Sequence, residues 1–121
     1  MKLSHRIAAA GLDPAQRRRF LEELRRVAAA DGQICEEEFH LIERLLPGAD
    51  ALLDLPAELD ALWAHGALLV TACIYVAVSD GEYGVEEARM ISNLAHQLGM
   101  SAHQLSQLEA RTFTELAERA G

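Results

Sequence analysis

The sequence predicts an all-α fold, a compact bundle of about five to seven helices in one domain over residues 1–121. Half of the residues are hydrophobic and only 5% are aromatic, a composition that favours helices over sheets. Apolar residues recur at helical spacing between stops at glycine and proline. The chain length of 121 residues suits one hydrophobic core better than two.

The first strongly marked helix begins at Asp13-Pro14, an N-cap residue followed by proline at the first helical position. It ends near Asp31-Gly32, because glycine adopts the left-handed conformation past a helix end without steric cost. One more short helix is expected over residues 2–10. The predicted inward residues are Phe20, Leu21, Leu24, Val27 and Ala28.

A second helix is predicted to begin at Cys35 or Glu36 and to end at Pro47-Gly48. Three acids in its first turn complement the positive end of the helix dipole. The predicted inward face is Phe39, Ile42, Leu45 and Leu46. Residues 49–55 show no clear period and are read as a loop or a short helical turn.

A long central helix is predicted over residues 56–79, with a break at Asp80-Gly81. Its apolar run, GALLVTACIYVAV, is shorter than the roughly 20 residues that cross a bilayer, so it predicts a buried core helix and no transmembrane segment. The next helix is expected over residues 85–98 with Met90, Ile91, Leu94 and Leu98 inward.

The last helix has the clearest start, because Ser101 and Gln104 form a capping-box pair and Met100 and Leu105 have the spacing of a hydrophobic staple. Its predicted inward stripe is Leu105, Leu108, Phe113 and Leu116.

The chain contains an internal repeat at an offset of 49 residues. VAAADGQICEEEFHLIERL aligns with VAVSDGEYGVEEARMISNL, so the Asp-Gly pair, the Glu-Glu pair, one Ile and one Leu fall in register. The repeat units are residues 20–46 and 69–98. They predict two helix-elbow-helix units related by an approximate two-fold axis, each burying its apolar face against the other.

Each elbow has the pattern D-G-x-φ-x-x-x-E, the second half of an EF-hand calcium loop. Calcium prefers six to eight oxygen ligands, so one elbow cannot hold it alone. The glutamates also have a purely structural explanation in the helix dipole. The aspartates are explained either by an Asx-turn or by a bound cation. The candidate metal ligands are Asp31, Glu37, Glu38, Asp80, Glu86 and Glu87.

Two A-x-x-D-G-x-φ-x-x-E-E elbows about fifty residues apart resemble the TerB-like (tellurite resistance protein B) family over residues 20–108. The resemblance implies an all-helical fold and a link to bacterial tellurite and chemical-stress resistance. It also implies divalent-metal binding by the acidic elbow residues and an occurrence beside chaperone or membrane-linked modules. The basic N-terminal segment has no counterpart in the pattern that carries the resemblance.

The net charge of -8 argues against a general nucleic-acid binder. Two cysteines without a CxxC pattern suggest neither a disulfide framework nor a zinc site and favour a reducing, cytoplasmic location. Arg17, Arg18 and Arg19 cannot share one helix face, so most of this run is predicted to be solvated. The alternative is an anionic partner or peripheral association with a membrane.

The leading hypothesis is a non-enzymatic interaction scaffold in a stress-resistance system, with protein partners and a divalent cation (Ca, Mg or Mn) at the elbows. One alternative is a protein-interaction module without metal, and a homodimer is a further option for its assembly. A second alternative is a carboxylate-bridged metalloenzyme, since Glu37 and His40 have Glu-x-x-His spacing, although the second copy has Glu86 and Arg89.

Overall fold

The computed structural model describes residues 2–30, 32–49, 58–79 and 83–120, with side chains described to residue 118. Over these ranges the chain forms six α helices and one 3₁₀ helix, and no strand. This confirms the predicted all-α class and helix number. The α helices are α1 (Leu3–Ala9), α2 (Pro14–Ala28), α3 (Glu36–Leu45), α4 (Gly66–Val78), α5 (Val85–Gln97) and α6 (Ala102–Ala120), and the 3₁₀ helix is Leu59–His65.

The predicted starts of α2 and α6 are confirmed by their hydrogen bonds. The Gln16 N–H donates to Asp13 Oδ1 at 2.7 Å, and the Asp13 N–H donates to Gln16 Oε1 at 2.9 Å. At α6 the Gln104 N–H donates to Ser101 Oγ at 3.1 Å, and the Ser101 N–H donates to Gln104 Oε1 at 2.8 Å. Each pair satisfies two backbone donors that have no partner within the helix.

Helix α4 is the centre of the fold, since it packs against every other α helix and the 3₁₀ helix. Ten of its 13 residues are buried, and this explains why it is apolar nearly all round. The stretch Leu59–Val78 is long and apolar enough to cross a membrane, with a mean hydropathy of 1.9, but 61% of its most apolar 18 residues is buried inside the protein. Its packing is that of a core helix.

The predicted continuous helix over residues 56–79 is wrong in its first part. Residues 59–65 form the 3₁₀ helix, and α4 begins only at Gly66. The backbone of His65 (φ -114°, ψ 21°) leaves the helical region and separates the two segments. Gly66 is buried against Leu98, and an added Cβ would lie 3.4 Å from Leu98 Cβ.

Most predicted inward residues are buried, Met90 and Leu116 are partly buried, and Phe39 and Phe113 are exposed. Their exposed fractions are 46% and 38%. On α3 the buried apolar positions are Ile42 and Leu45. Phe39, three residues before Ile42, lies at the exposed edge of the same side of the helix. Phe113 covers the ring of Tyr83 on the surface, with ring centroids 5.5 Å apart.

The prediction that the arginine run on α2 is mostly solvated is also wrong. Arg17 donates to the Pro47 carbonyl at 2.9 Å, and Arg18 lies 3.5 Å from Glu22. Arg19 pairs with the buried Glu23 at 2.9 Å. Because α2 alternates these charges at i, i+3 and i+4 spacing, the arginines are neutralised within the helix or tied to the end of α3.

Candidate functional site

The two elbows connect α2 to α3 and α4 to α5. The first is described from Gly32 and the second from Tyr83, so the candidate ligands Asp31 and Asp80 lie outside the described residues. Gly32 has a φ of 115°, a backbone conformation that favours glycine, as the Asp-Gly pattern predicted.

Glu38 and Glu87 occupy the same position in the two elbows and make the same bond. The Cys35 N–H donates to Glu38 Oε1 at 2.9 Å, and the Gly84 N–H donates to Glu87 Oε1 at 3.0 Å. Both side chains are buried, with exposed fractions of 2% and 5%. Each glutamate thus satisfies the N-cap backbone of the helix that follows its elbow, and at least one oxygen of each carboxylate has a structural role.

Glu37 and Glu86, the preceding residues in each elbow, are exposed. They belong to the acidic first turns of α3 and α5, where their charge complements the helix dipole. Among the candidate ligands in the described ranges, Glu37 and Glu86 are the two whose side chains are exposed to solvent.

Across the described ranges, no three or more His, Cys, Asp and Glu side chains lie close enough together to hold a metal ion. The metal site predicted from the sequence includes Asp31 and Asp80, so its complete ligand set falls partly outside those ranges. The assignment of all six carboxylates as metal ligands therefore stays a prediction, as does the approximate two-fold axis.

The Glu-x-x-His spacing does not bring Glu37 to His40 in the structure. Instead, His40 Nε2 lies 3.3 Å from Glu36 Oε1, one turn away on an exposed surface. Both side chains are more than half exposed, at 63% and 83%. The pair is an i,i+4 surface interaction of the usual kind.

Neither cysteine has the environment of a nucleophile. Burial raises the pKa of the Cys35 thiol to about 11, and hydrogen bonds with the Glu38 and Glu37 side chains also raise it. Cys73 is fully buried in α4, and burial together with the charge of Glu23 raises the pKa of that thiol still further. A raised pKa keeps a thiol protonated, and the thiolate is the nucleophilic form.

The two elbows differ in what covers them. Tyr83, the apolar residue of the second elbow, is half-buried against Phe113, and its hydroxyl donates to Glu109 Oε2 at 3.0 Å. Helix α6 therefore packs over that elbow, and burial raises the pKa of Tyr83. Ile34, the matching residue of the first elbow, is 38% exposed.

The first elbow thus presents an exposed apolar and acidic surface, which we call the elbow-1 surface and define as Ile34, Glu36, Glu37, Phe39 and His40. The ring of Phe39 meets His40 edge-on, with centroids 6.0 Å apart. Sequence reasoning missed this surface because it placed Phe39 inward. The repeat did contain a sign of it, since the position that matches Phe39 in the second unit is Ala88.

Comparison with known protein families finds a match in the N-terminal half of the chain. The family model described as tellurite resistance protein TerB matches residues 2–58. This match supports a TerB-like assignment. It covers α1, α2, the first elbow and α3, and so agrees with the predicted resemblance at the first of the two elbows. It also begins at residue 2 and therefore includes the basic N-terminal segment, which the elbow pattern did not reach.

No curated protein and no solved structure matches the chain significantly. The family match supports a tellurite-resistance-related family, and the TerB-like elbow that it includes is the one with the exposed surface.

Proposed function

We propose that this TerB-like chain is a non-enzymatic interaction scaffold of a tellurite or chemical-stress resistance system, and that its partner binds the elbow-1 surface. The observation that carries the proposal is the exposure of Phe39, 46%, in the part of the chain that the family model matches. Aromatic side chains are frequent anchors of protein interfaces, because they combine a large apolar area with few rotatable bonds.

The charges around Phe39 define the kind of partner. Glu36 and Glu37 are exposed beside it, and the whole chain carries a net charge of -8. A partner with an apolar pocket rimmed by lysine or arginine would bury the ring of Phe39 and complement the two carboxylates. Association with such a partner should weaken as salt concentration rises.

The test compares full-length chains carrying Phe39→Ala or Val85→Ala in quantitative affinity capture. Val85 is a suitable control because it is also exposed, at 68%, and lies in the second elbow at the start of α5, outside the elbow-1 surface. A specific partner should be recovered with the unchanged chain and with Val85→Ala, and at least about tenfold less with Phe39→Ala. Equal recovery with both variants would exclude Phe39 as the anchor.

As a second part of the proposal, the elbow carboxylates bind a divalent cation weakly. The exposed carboxylates of Glu37 and Glu86 support it, together with the aspartates at positions 31 and 80 in the sequence. Glu38 and Glu87 contribute through the oxygen that does not accept the N-cap hydrogen bond. Hard oxygen ligands of this kind suit Ca, Mg or Mn.

Calorimetric titration of chelator-treated protein with calcium, magnesium, manganese and zinc tests the metal. The Asp31→Asn, Asp80→Asn double variant should lose binding. A control that removes two exposed acids elsewhere, Asp60→Asn with Glu118→Gln, should keep it. Heat of binding that survives in the elbow variant, or that is absent from the unchanged protein, would contradict a metal role.

The second candidate function is a protein-interaction module without metal. It is favoured by the buried hydrogen bonds of Glu38 and Glu87, since these give the acidic pattern a structural purpose. The two candidates differ in their response to chelator. Partner capture that ignores chelator would favour the module without metal.

A further inference from the structure

A pocket of about 270 Å³ lies between α1, α3 and the central helix α4. Its base is apolar: Leu3 and Leu45 are buried core residues, and Leu41 packs partly buried beside them. The aromatic ring of Tyr75, which is 5% exposed, completes this base from α4.

Two cationic side chains line the same pocket, Lys2 ahead of α1 and Arg44 in the last turn of α3. Within the described part of the chain neither makes an ion pair or a side-chain hydrogen bond. This contrasts with Arg6, Arg17 and Arg19, each of which has a carboxylate or carbonyl partner. Both side chains are exposed, so their charges are open to an anion from solvent.

The carboxylate near the pocket is already compensated. Glu115 of α6 accepts a hydrogen bond from the Tyr75 hydroxyl at 3.2 Å and lies 3.6 Å from the Arg6 guanidinium. Its charge is therefore shared between two donors and does not cancel the charges of Lys2 and Arg44. Ser4 adds a hydroxyl to the lining.

We propose that this pocket binds a small organic anion, a carboxylate with a short apolar chain. The carboxylate would pair with Arg44 and Lys2, and the apolar chain would lie on the leucines and the ring of Tyr75. The pocket is slightly smaller than the roughly 300–1,000 Å³ typical of sites for drug-sized ligands. An inorganic anion would use the charges but leave the apolar base in contact with water.

The position of Arg44 at the end of α3 also has a structural benefit, because a cation there complements the negative end of the helix dipole. That benefit does not require Lys2, which comes from a different element and reaches the same pocket. The convergence of two cations over an apolar base distinguishes a binding pocket from a capping charge.

The experiment is an NMR titration of the full chain with hexanoate, followed through backbone amide shifts and compared with inorganic phosphate. Hexanoate should shift the amides of Ser4, Leu41 and Tyr75 in a saturable manner, and phosphate should do so more weakly. Arg44→Gln should weaken hexanoate binding by at least about tenfold, since charge-assisted hydrogen bonds are the strong ones. The matched control is Arg89→Gln, which removes an exposed arginine from α5.

Each outcome decides the proposal. Binding that is lost in Arg44→Gln and kept in Arg89→Gln supports it, provided that circular dichroism shows both variants folded. Equal loss in the two variants would show that hexanoate responds to overall charge, and equal affinity for phosphate would show that the apolar base takes no part. Either of these results, or no saturable shift with the unchanged chain, overturns the proposal.

Discussion

Glu38 and Glu87, which lie 49 residues apart in the chain, are buried carboxylates that accept the N-cap N–H of the following helix at 2.9 and 3.0 Å. The acidic repeat therefore includes a folding element. The two glutamates of each elbow therefore differ in role. Glu38 and Glu87 are buried and fix the start of the following helix, whereas Glu37 and Glu86 are exposed to solvent.

We expect Glu38→Ala and Glu87→Ala each to lower the free energy of unfolding by about 1–2 kcal/mol, since each leaves an N-cap N–H without its partner. Glu38→Gln should cost less, because the amide oxygen still accepts the bond. Urea unfolding followed by circular dichroism measures these changes. Glu37→Ala, at the exposed neighbouring position, is the control and should cost clearly less, since it leaves the N-cap hydrogen bond of Glu38 in place and removes only a charge near the helix dipole. A loss as large in Glu38→Gln as in Glu38→Ala would contradict the capping role.

The parts of this fold that sequence predicts well are those with local causes. The capping residues Asp13 and Ser101 act within four residues of the chain, so their patterns determine where α2 and α6 begin. Glycines that require the left-handed conformation are similarly local, as at Gly32. The N-cap bonds of Glu38 and Glu87 are also local, so the alignment of these two residues in the repeat corresponds to the same hydrogen bond in the structure.

What the sequence did not predict depends on tertiary packing. Phe39 has the helical spacing of an inward residue, but Ile42 and Leu45 set which side of α3 faces α4, and the phenylalanine is left outside. The break at His65 was not predicted either; it lies beside Gly66, which packs against Leu98 from a distant part of the chain. The pocket of Lys2 and Arg44 could not be foreseen, since it depends on how α1 and α3 meet.

The contact between Gly99 and Trp63 predicts a specific steric effect. Gly99 has a φ of 81°, and an added Cβ would lie 2.6 Å from Trp63 Cη2. Gly11, with a φ of 66° and nothing within 4 Å of an added Cβ, is the matched control. Both alanine variants should lose about 1 kcal/mol for the left-handed backbone, and Gly99→Ala should lose more because the indole must move.

Thermal unfolding and fluorescence together test this difference. Trp63 is the single tryptophan of the chain, so its emission reports its own displacement. The emission maximum should shift in Gly99→Ala and stay constant in Gly11→Ala. Equal destabilisation with no change in emission would show that the contact contributes nothing.

Two phenylalanines of different burial give a test of the core. Phe20 on α2 is fully buried, whereas Phe113 on α6 is 38% exposed. Phe20→Ala should lower the free energy of unfolding by about 3–5 kcal/mol through lost burial and a cavity, and Phe113→Ala by clearly less. Urea midpoints measure both values. Similar losses would mean that the packing of Phe113 on Tyr83 matters as much as the α2–α4 core.

The raised pKa of Cys35 predicts slow alkylation at neutral pH. Because burial raises the pKa of this thiol from 9.0 to about 11, the thiolate fraction at pH 8 is about a hundredfold lower than that of a solvated cysteine. The rate of iodoacetamide labelling at Cys35, measured by peptide mass mapping, should still rise about tenfold per pH unit between pH 8 and 9.5. A small thiol in solution levels off over that range.

The side chain of Glu37 is one cause of this shift, after burial and the contacts with Glu38. Glu37→Ala removes that hydrogen bond, so it should lower the pKa of Cys35 and accelerate labelling. Glu86→Ala on the second elbow should not. Since folding raises this pKa, the folded state loses stability as pH rises above the value of the unfolded thiol. Cys73 should remain unlabelled until the protein unfolds, because it is fully buried in α4. Rapid labelling of Cys35 at pH 7 would contradict this, because it would mean that the thiol is solvated and makes no hydrogen bond with Glu37 or Glu38.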